Sequence, residues 1–230
     1  MRKAPPPAAS AARVRQRVLV VEDHPVMRES LVESINRTKH LCVCAACSTM
    51  AGALRQLEKA APHIIITDLS LGNDQGFAFI EMACSRHPAI PLLVFSMHSE
   101  AIHAPRVFRC GAAGYVMKGE GYTCLMAAVC RVLAGGLAYA DRVRPTLLRQ
   151  FAVSGGAPSV PLNEEERLVF TLTGRGVAPA IIADTLGLTA ARVAEITAAL
   201  RDKLHLATDI AVTHCAQLIR ESGAGTSPPA

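Results

Sequence analysis

The segment Ile-Ile-Ile-Thr-Asp-Leu-Ser, residues 64–70, is an unbroken apolar run that ends at the carboxylate of Asp68. Runs of this kind are typical of strands buried on both faces of a parallel sheet. The stretches 17–22 and 92–96 have the same character, and they end at an acidic pair and at Ser96. Because ligands bind beyond the carboxyl ends of parallel strands, we expect these polar groups to share one rim of a sheet.

Strand-like and helical patterns alternate through the first half of the chain. This alternation predicts a doubly wound α/β domain with a five-stranded parallel sheet, of the flavodoxin-like kind, over residues 17–136. The predicted strands are 17–22, 41–46, 63–68, 92–96 and 114–117. The predicted helices are 25–38, 49–60, 75–87, 100–110 and 122–134.

The polar groups at the strand ends suit phosphoryl transfer. Asp68 is the predicted nucleophile, because a carboxylate that attacks a phosphoryl group forms an aspartyl phosphate. Glu22 and Asp23, together with Asp68 and the backbone carbonyl of Ser70, offer the hard oxygen ligands that Mg²⁺ prefers. The sequence therefore predicts a phosphorylation site with Mg²⁺ as its cofactor.

A lysine and two hydroxyl groups complete the predicted site. Lys118 follows the apolar stretch 114–117, and its ammonium is expected to pair with the phosphoryl oxygens. The Ser96 hydroxyl would hydrogen-bond to the same group. A phosphoryl group adds about −1.5 to −2 charges, which is enough to draw the Ser96 loop inward. Tyr115 could then fill the vacated space, so these three residues form the predicted switch.

Two classes of enzyme fit these residues less well. A dinucleotide-binding enzyme would need G-x-G-x-x-G after the first strand, and this chain lacks that motif. A phosphatase of the haloacid dehalogenase type would want a second Asp two residues after Asp68, where Ser70 stands. We therefore expect a switch protein and not an enzyme.

Charge and hydropathy describe the ends of the chain. Residues 1–17 contain five basic and no acidic residues, so their charge of +5 equals that of all 230 residues, and residues 18–230 sum to zero. The Pro and Ala content predicts that residues 1–16 form a disordered basic tail, and residues 222–230 a second disordered tail. No stretch has the length of a membrane span or the form of an export signal, so we expect a cytoplasmic protein without a membrane partner.

Three of the eight cysteines, Cys42, Cys44 and Cys47, lie close together in the sequence. A metal-binding thiolate cluster is one interpretation, but no second Cys or His pair stands at zinc-site spacing. The segment also reads as a buried strand, in which free cysteines act as small hydrophobic residues. We favour the second interpretation and a reduced environment.

The remainder of the chain reads as a linker and a small all-α domain. Residues 137–160 hold a helix and a Gly/Pro/Ser-rich loop, which predicts a linker. Over residues 161–221, the turn at Gly187 joins a short helix to a longer one, an arrangement typical of a helix-turn-helix. The predicted helices are 163–174, 179–186, 190–204 and 208–220.

The strand-end motifs resemble, in order and spacing, the receiver domain of bacterial two-component response regulators. The complete layout resembles regulators with a LuxR-type helix-turn-helix output domain, the NarL/FixJ-like group. This resemblance implies that a sensor histidine kinase phosphorylates Asp68. It further implies that phosphorylation favours a homodimer, and that the helix 190–204 enters the DNA major groove at a promoter operator.

The residues expected to contact DNA depart from the family pattern. Glu165, Ile181 and Ile196 replace residues that are usually basic, acidic and polar. Residues 161–215 carry five basic and seven acidic side chains, a net charge of −2, although DNA affinity depends on neutralising phosphates. The remaining predicted contacts are Arg192, Glu195, Arg201 and Lys203.

This departure leaves a second function open. Ile196 fits a buried helical stripe with Val193, Leu200 and Leu204, which is the interpretation we favour for it. Alternatively, Ile181 and Ile196 form part of a surface that binds a protein. The domain would then be a phosphorylation-dependent interaction module that binds a protein partner or only dimerises.

Overall fold

The computed structural model describes residues 15–72, 75–151 and 160–222. We call residues 15–151 the N-terminal unit and residues 160–222 the C-terminal unit. Most of both predicted tails and most of the predicted linker loop lie outside the described residues, and the division into domains stays a prediction. Among the described helices, none is both long and apolar enough to cross a membrane.

A five-stranded parallel sheet forms the centre of the N-terminal unit, as predicted. Its strand order is β2-β1-β3-β4-β5. Val, Leu and Ile side chains of the three inner strands are buried on both faces, which explains their continuous apolar sequences. The strands are β1 (Gln16–Val21), β2 (Leu41–Cys47), β3 (Ile64–Thr67), β4 (Leu92–Ser96) and β5 (Gly114–Met117).

Five helices alternate with the strands, and α6 follows them. Pro25 begins α1 at a position that needs no backbone N–H, and Thr49 caps α2 by accepting a hydrogen bond from the Gly52 N–H. The helices are α1 (Pro25–Asn36), α2 (Met50–Ala60), α3 (Gly76–Arg86), α4 (Glu100–Cys110), α5 (Gly121–Leu133) and α6 (Arg144–Gln150).

A short segment after α5 extends the sheet in a way that the sequence did not indicate. Gly114 forms an isolated parallel bridge with Ala138, and the backbone N–H of Tyr115 donates to the Ala138 carbonyl at 2.9 Å. The Tyr139 hydroxyl donates to the Ala112 carbonyl at 2.8 Å. The linker predicted at 137–160 therefore begins with residues that pack on the sheet.

The C-terminal unit is helical, as predicted, and its core includes Val169, Ile182 and Leu200. Ile196 is buried, which confirms the core interpretation and contradicts its place in an exposed protein-binding surface. Ile181, in contrast, is 56% exposed. The helices are α7 (Glu164–Gly174), α8 (Pro179–Leu186), α9 (Ala190–Lys203) and α10 (Asp209–Glu221).

The two units meet along one side of α10. The Ala207 N–H donates to the Arg109 carbonyl at 2.9 Å, and the Gln217 side chain donates to the Gly135 carbonyl at 2.9 Å. Glu221, at the end of α10, pairs with Arg144 of α6 at 2.8 Å. Gln217 and Glu221 are four residues apart, so both lie on the same face of α10, and this face lies against the N-terminal unit.

Candidate functional site

The parallel register places two carboxylates side by side. Val21 is the register partner of Thr67, so the residues that follow, Glu22 and Asp68, emerge together beyond the carboxyl ends of β1 and β3. The backbone N–H of Asp68 donates to the Val21 carbonyl at 3.0 Å and fixes this alignment. The fold therefore places Glu22 and Asp68 next to each other at one edge of the sheet, where the sequence predicts them.

Lys118 links the two carboxylates. Its Nζ lies 2.6 Å from Glu22 Oε2 and 2.7 Å from Asp68 Oδ2, and all three side chains are buried. Burial alone would lower the pKa of Lys118, but the hydrogen bonds to Asp68 and Glu22 outweigh it and raise that pKa. The lysine therefore holds a full positive charge at the position where a phosphoryl group on Asp68 would lie.

The pKa values of the two linked carboxylates are shifted in opposite directions. Burial raises the pKa of Glu22, and the charge of Asp68 contributes in the same direction. Burial also acts to raise the pKa of Asp68, but hydrogen bonds from Lys118 and Ser96 lower it below its ordinary value. The Leu69 N–H also donates to Asp68 Oδ1, at 2.6 Å. Of the two carboxylates, Asp68 is therefore the one whose surroundings favour the ionised form.

The predicted switch residues are connected through His98, which the sequence did not single out. The backbone N–H of His98 donates to the Ser96 hydroxyl at 3.4 Å, and its carbonyl accepts from the Tyr115 hydroxyl at 2.9 Å. Its ring Nε2 lies 2.9 Å from the Ser70 hydroxyl. Burial raises the pKa of Tyr115 to about 12, so its hydroxyl stays a neutral donor.

A second missed residue, His24, lies beside the acidic pair. Its Nδ1 is 3.2 Å from Asp23 Oδ1 and 3.8 Å from Glu22 Oε1. Ligand atoms of His24, Glu22 and Asp23 all lie within 4.8 Å of one another. Its position directly after the acidic pair is the sequence signal that could have identified it.

The carboxylates suit the divalent ion that the sequence predicts. Glu22, Asp23 and Asp68 contribute three negative charges and Lys118 one positive charge, so a charge of −2 remains at the rim. Oxygen donors with that excess charge fit Mg²⁺. The oxygens of Asp68 also bond to Lys118 and to the Leu69 N–H.

The predicted DNA contacts of α9 are held in ion pairs within the C-terminal unit. Arg192 lies 2.8 Å from Glu165 and 3.1 Å from Glu195. Lys203 lies 2.7 Å from Glu166, which is buried and caps α7 together with Asn163. Arg201 pairs with Asp202 and Asp209.

Comparisons with known proteins agree with this architecture. Residues 18–130 match the response regulator receiver domain. The chain is 30% identical over 190 residues to the methanol utilization control regulatory protein MoxX of Paracoccus denitrificans, an alignment that covers 81% of this chain and 84% of the relative. It is 26% identical over 190 residues to the DNA-binding transcriptional activator DevR/DosR of Mycobacterium tuberculosis, covering 82% and 88%.

Solved structures share the fold. A LuxR-family two-component response regulator from Aurantimonas sp. SI85-9A1 is 28% identical and has a TM-score of 0.55, covering 60% of this chain and 98% of that one. RcsB from Salmonella enterica serovar Typhimurium, bound to a promoter, is 21% identical with a TM-score of 0.53, covering 90% and 100%. The chain therefore belongs to the two-component response regulators in which a receiver domain precedes a LuxR-type helix-turn-helix domain.

Proposed function

We propose that this chain is a transcriptional regulator that a sensor histidine kinase switches by phosphorylating Asp68. The observation that carries the proposal is the buried pair of Asp68 with Lys118, at 2.7 Å. Asp68 is only 4% exposed, yet its pKa is lowered. A buried ionised carboxylate beside a permanent cation is prepared both to attack phosphorus and to hold the product.

The transfer step conserves atoms and charge in a simple way. An oxygen of Asp68 attacks the phosphorus of a phosphohistidine, the P–N bond breaks, and the imidazole leaves with the bonding electron pair. Lys118 then pairs with the phosphoryl oxygens. Glu22, Asp23, Asp68 and the Ser70 carbonyl would hold Mg²⁺, which neutralises charge on the phosphoryl oxygens when it is bound.

The hydrogen bonds of His98 support the proposed signalling step. The Ser96 hydroxyl accepts a hydrogen bond from the backbone N–H of His98, and the Tyr115 hydroxyl donates one to the backbone carbonyl of His98. A phosphoryl group that draws the Ser96 hydroxyl toward Asp68 would alter both bonds. The change would reach α4, which begins two residues after His98 and packs against α10.

DNA is the proposed target of the output domain. Relatives along most of this chain are named transcriptional regulators and activators. The proposed contacts on α9 remain Arg192, Glu195, Arg201 and Lys203. Phosphorylation would favour a homodimer that presents two copies of this helix to DNA. The protein would act in the cytoplasm. Each bidentate base contact contributes about 1–3 kcal/mol, so a dimer would compensate for a small contact set.

A second function is favoured by two features of the C-terminal unit. The ion pairs of α9 leave little free positive charge on that helix, while Ile181 of α8 is exposed. These features fit an interaction module that binds a protein partner or only dimerises, instead of DNA.

Duplex-DNA binding by the full-length protein distinguishes the two functions. Affinity is measured against salt concentration, with and without beryllofluoride as a phosphoryl mimic, and with a variant that lacks residues 1–16. Salt-sensitive binding that beryllofluoride strengthens, and that survives removal of the tail, supports the DNA-binding regulator. Binding that is lost with the tail, or absent at low salt in both states, contradicts it.

A further inference from the structure

The structure assigns His24 as a nitrogen ligand in the acidic pocket, and from this we infer that the pocket favours first-row transition-metal ions such as Mn²⁺ over Mg²⁺. The inference rests on the proposed function in one respect, since both place a divalent ion beside Glu22 and Asp23. It goes further in two ways. It adds an imidazole to the proposed carboxylate and carbonyl ligands, and it names the class of metal ion that the imidazole favours.

The distances fit a single coordination shell. Ligand atoms about 2.1 Å from an octahedral ion lie about 3.0 Å apart when adjacent and about 4.2 Å apart when opposite. His24 Nδ1 lies 3.2 Å from Asp23 Oδ1 and 3.8 Å from Glu22 Oε1. Both values fall inside that span, so one ion can contact all three atoms after small side-chain adjustments.

The ligand atoms that face His24 are the ones left available by the surrounding residues. Glu22 Oε2 is held by Lys118 at 2.6 Å, and Asp23 Oδ2 accepts from the Gly72 N–H at 3.3 Å. The other two oxygens face His24: Glu22 Oε1 accepts from the His24 backbone N–H at 3.3 Å, and Asp23 Oδ1 lies beside the imidazole. Because the His24 side chain is 73% exposed, the same ion can complete its shell with water.

Ligand chemistry then decides which ions gain from His24. Carboxylate and water ligands suit Mg²⁺ and Mn²⁺ alike, whereas an imidazole adds affinity for first-row transition-metal ions, least for Mn²⁺ and more toward Ni²⁺, and little for Mg²⁺. A pocket made of two carboxylates and one imidazole therefore strengthens along the series from Mn²⁺ to Ni²⁺. Mg²⁺ would bind through the oxygens without the ring.

The test uses full-length protein with Mn²⁺ as the probe. Free Mn²⁺ measured by EPR gives its affinity, competition gives the affinity for Mg²⁺, and pulsed EPR detects a directly bound ¹⁴N. His24→Asn removes the imidazole, and folding should be retained because His24 is the N-cap of α1 and Asn is a preferred N-cap residue. His40→Asn, at an exposed histidine outside the pocket, is the matched control.

Wild type and His40→Asn should show nitrogen modulation from bound Mn²⁺, and His24→Asn should lose it. His24→Asn should also weaken Mn²⁺ binding by a larger factor than it weakens Mg²⁺ binding. Bound Mn²⁺ without nitrogen modulation in the wild type overturns the role of His24 and leaves the proposed phosphorylation site intact. Failure of both ions to bind would overturn the proposed metal site as well.

Discussion

Gly111 and Ile210 lie in direct contact where the N-terminal unit meets α10. A Cβ atom at position 111 would be 2.7 Å from Ile210 Cγ2 and 2.5 Å from the Thr208 hydroxyl oxygen. Gly111 also has a φ of +101°, in the region that side chains disfavour. Glycine is thus required here both by the turn after α4 and by the approach of α10.

Gly111→Ala should separate the two units. The new methyl carbon would lie 2.7 Å from Ile210 Cγ2, which is closer than two carbon atoms can approach without a shift. Ile210 lies in the first turn of α10, so the shift would move that helix. Gly121→Ala is the matched control, since Gly121 has a φ of +80° with nothing within 4 Å of an added Cβ. With a ψ of 171°, Gly121 lies in a backbone region that side chains disfavour, so the variant carries backbone strain of about 1–3 kcal/mol without the collision.

Small-angle scattering and proteolysis within 152–159 measure the separation. Gly111→Ala should enlarge the radius of gyration and speed cleavage, while Gly121→Ala should resemble the wild type in both. Equal behaviour of the two variants would mean that the contact with α10 does not depend on Gly111.

Lys118→Met should destabilise the protein at neutral pH. The variant leaves Glu22 and Asp68 buried without their cation, and breaking a buried pair in this way costs about 3–5 kcal/mol. Without Lys118 both carboxylate pKa values rise in the folded state, so the folded protein binds more protons than the unfolded chain. The lost stability should therefore return as pH falls from 7.5 toward 5.

Urea unfolding at several pH values tests this expectation. The wild type has the opposite contribution from Asp68, whose lowered pKa stabilises the fold above its unfolded pKa and ceases to do so as pH falls through the folded pKa. A Lys118→Met variant that is as stable as the wild type at pH 7.5 would show that the pair contributes nothing.

Ser70→Ala should shorten the lifetime of the phosphoryl group. The Ser70 hydroxyl and His98 Nε2 join the loop after β3 to the loop after β4, next to Asp68. Loss of this bond frees both loops and opens the site to water, so hydrolysis of the aspartyl phosphate should become several-fold faster. Decay of the phosphorylated protein on phosphate-affinity gels measures the rate, and an unchanged rate would contradict the expected role.

The sequence predicted the parts of the site that depend on strand ends and failed where distant loops or helices meet. Asp68 and Lys118 were found because each follows an apolar strand, and the carboxyl ends of parallel strands share a rim. The bond between Ser70 and His98 joins residues 28 apart on different loops, so no local pattern indicates it. The pairing of Arg192 with Glu165 likewise depends on how α7 crosses α9.

Glu165→Gln should strengthen DNA binding if α9 contacts DNA. The substitution removes one negative charge and releases Arg192 from the 2.8 Å pair, which makes one more cation available to a phosphate. Affinity should rise several-fold at low salt, and the slope of log affinity against log salt should steepen by about 1. Glu164→Gln makes the same charge change away from Arg192, and it should have the smaller effect on both quantities. Equal effects of the two substitutions would show that net charge alone, and not the release of Arg192, changes the affinity for DNA.

Acidification should weaken the C-terminal unit through His214. This side chain is buried in α10, and burial lowers its pKa from 6.5 to about 4. Between those values the unfolded chain binds a proton that the folded protein does not, so stability falls as pH decreases from about 6.5 to about 4. His214→Gln removes the titrating group, and its stability deficit relative to the wild type should shrink by about 2–3 kcal/mol between pH 7.5 and pH 4.5. Urea unfolding of both proteins at the two pH values measures that change. If the difference in unfolding free energy between the two proteins is the same at both pH values, His214 is not the group whose protonation destabilises the fold.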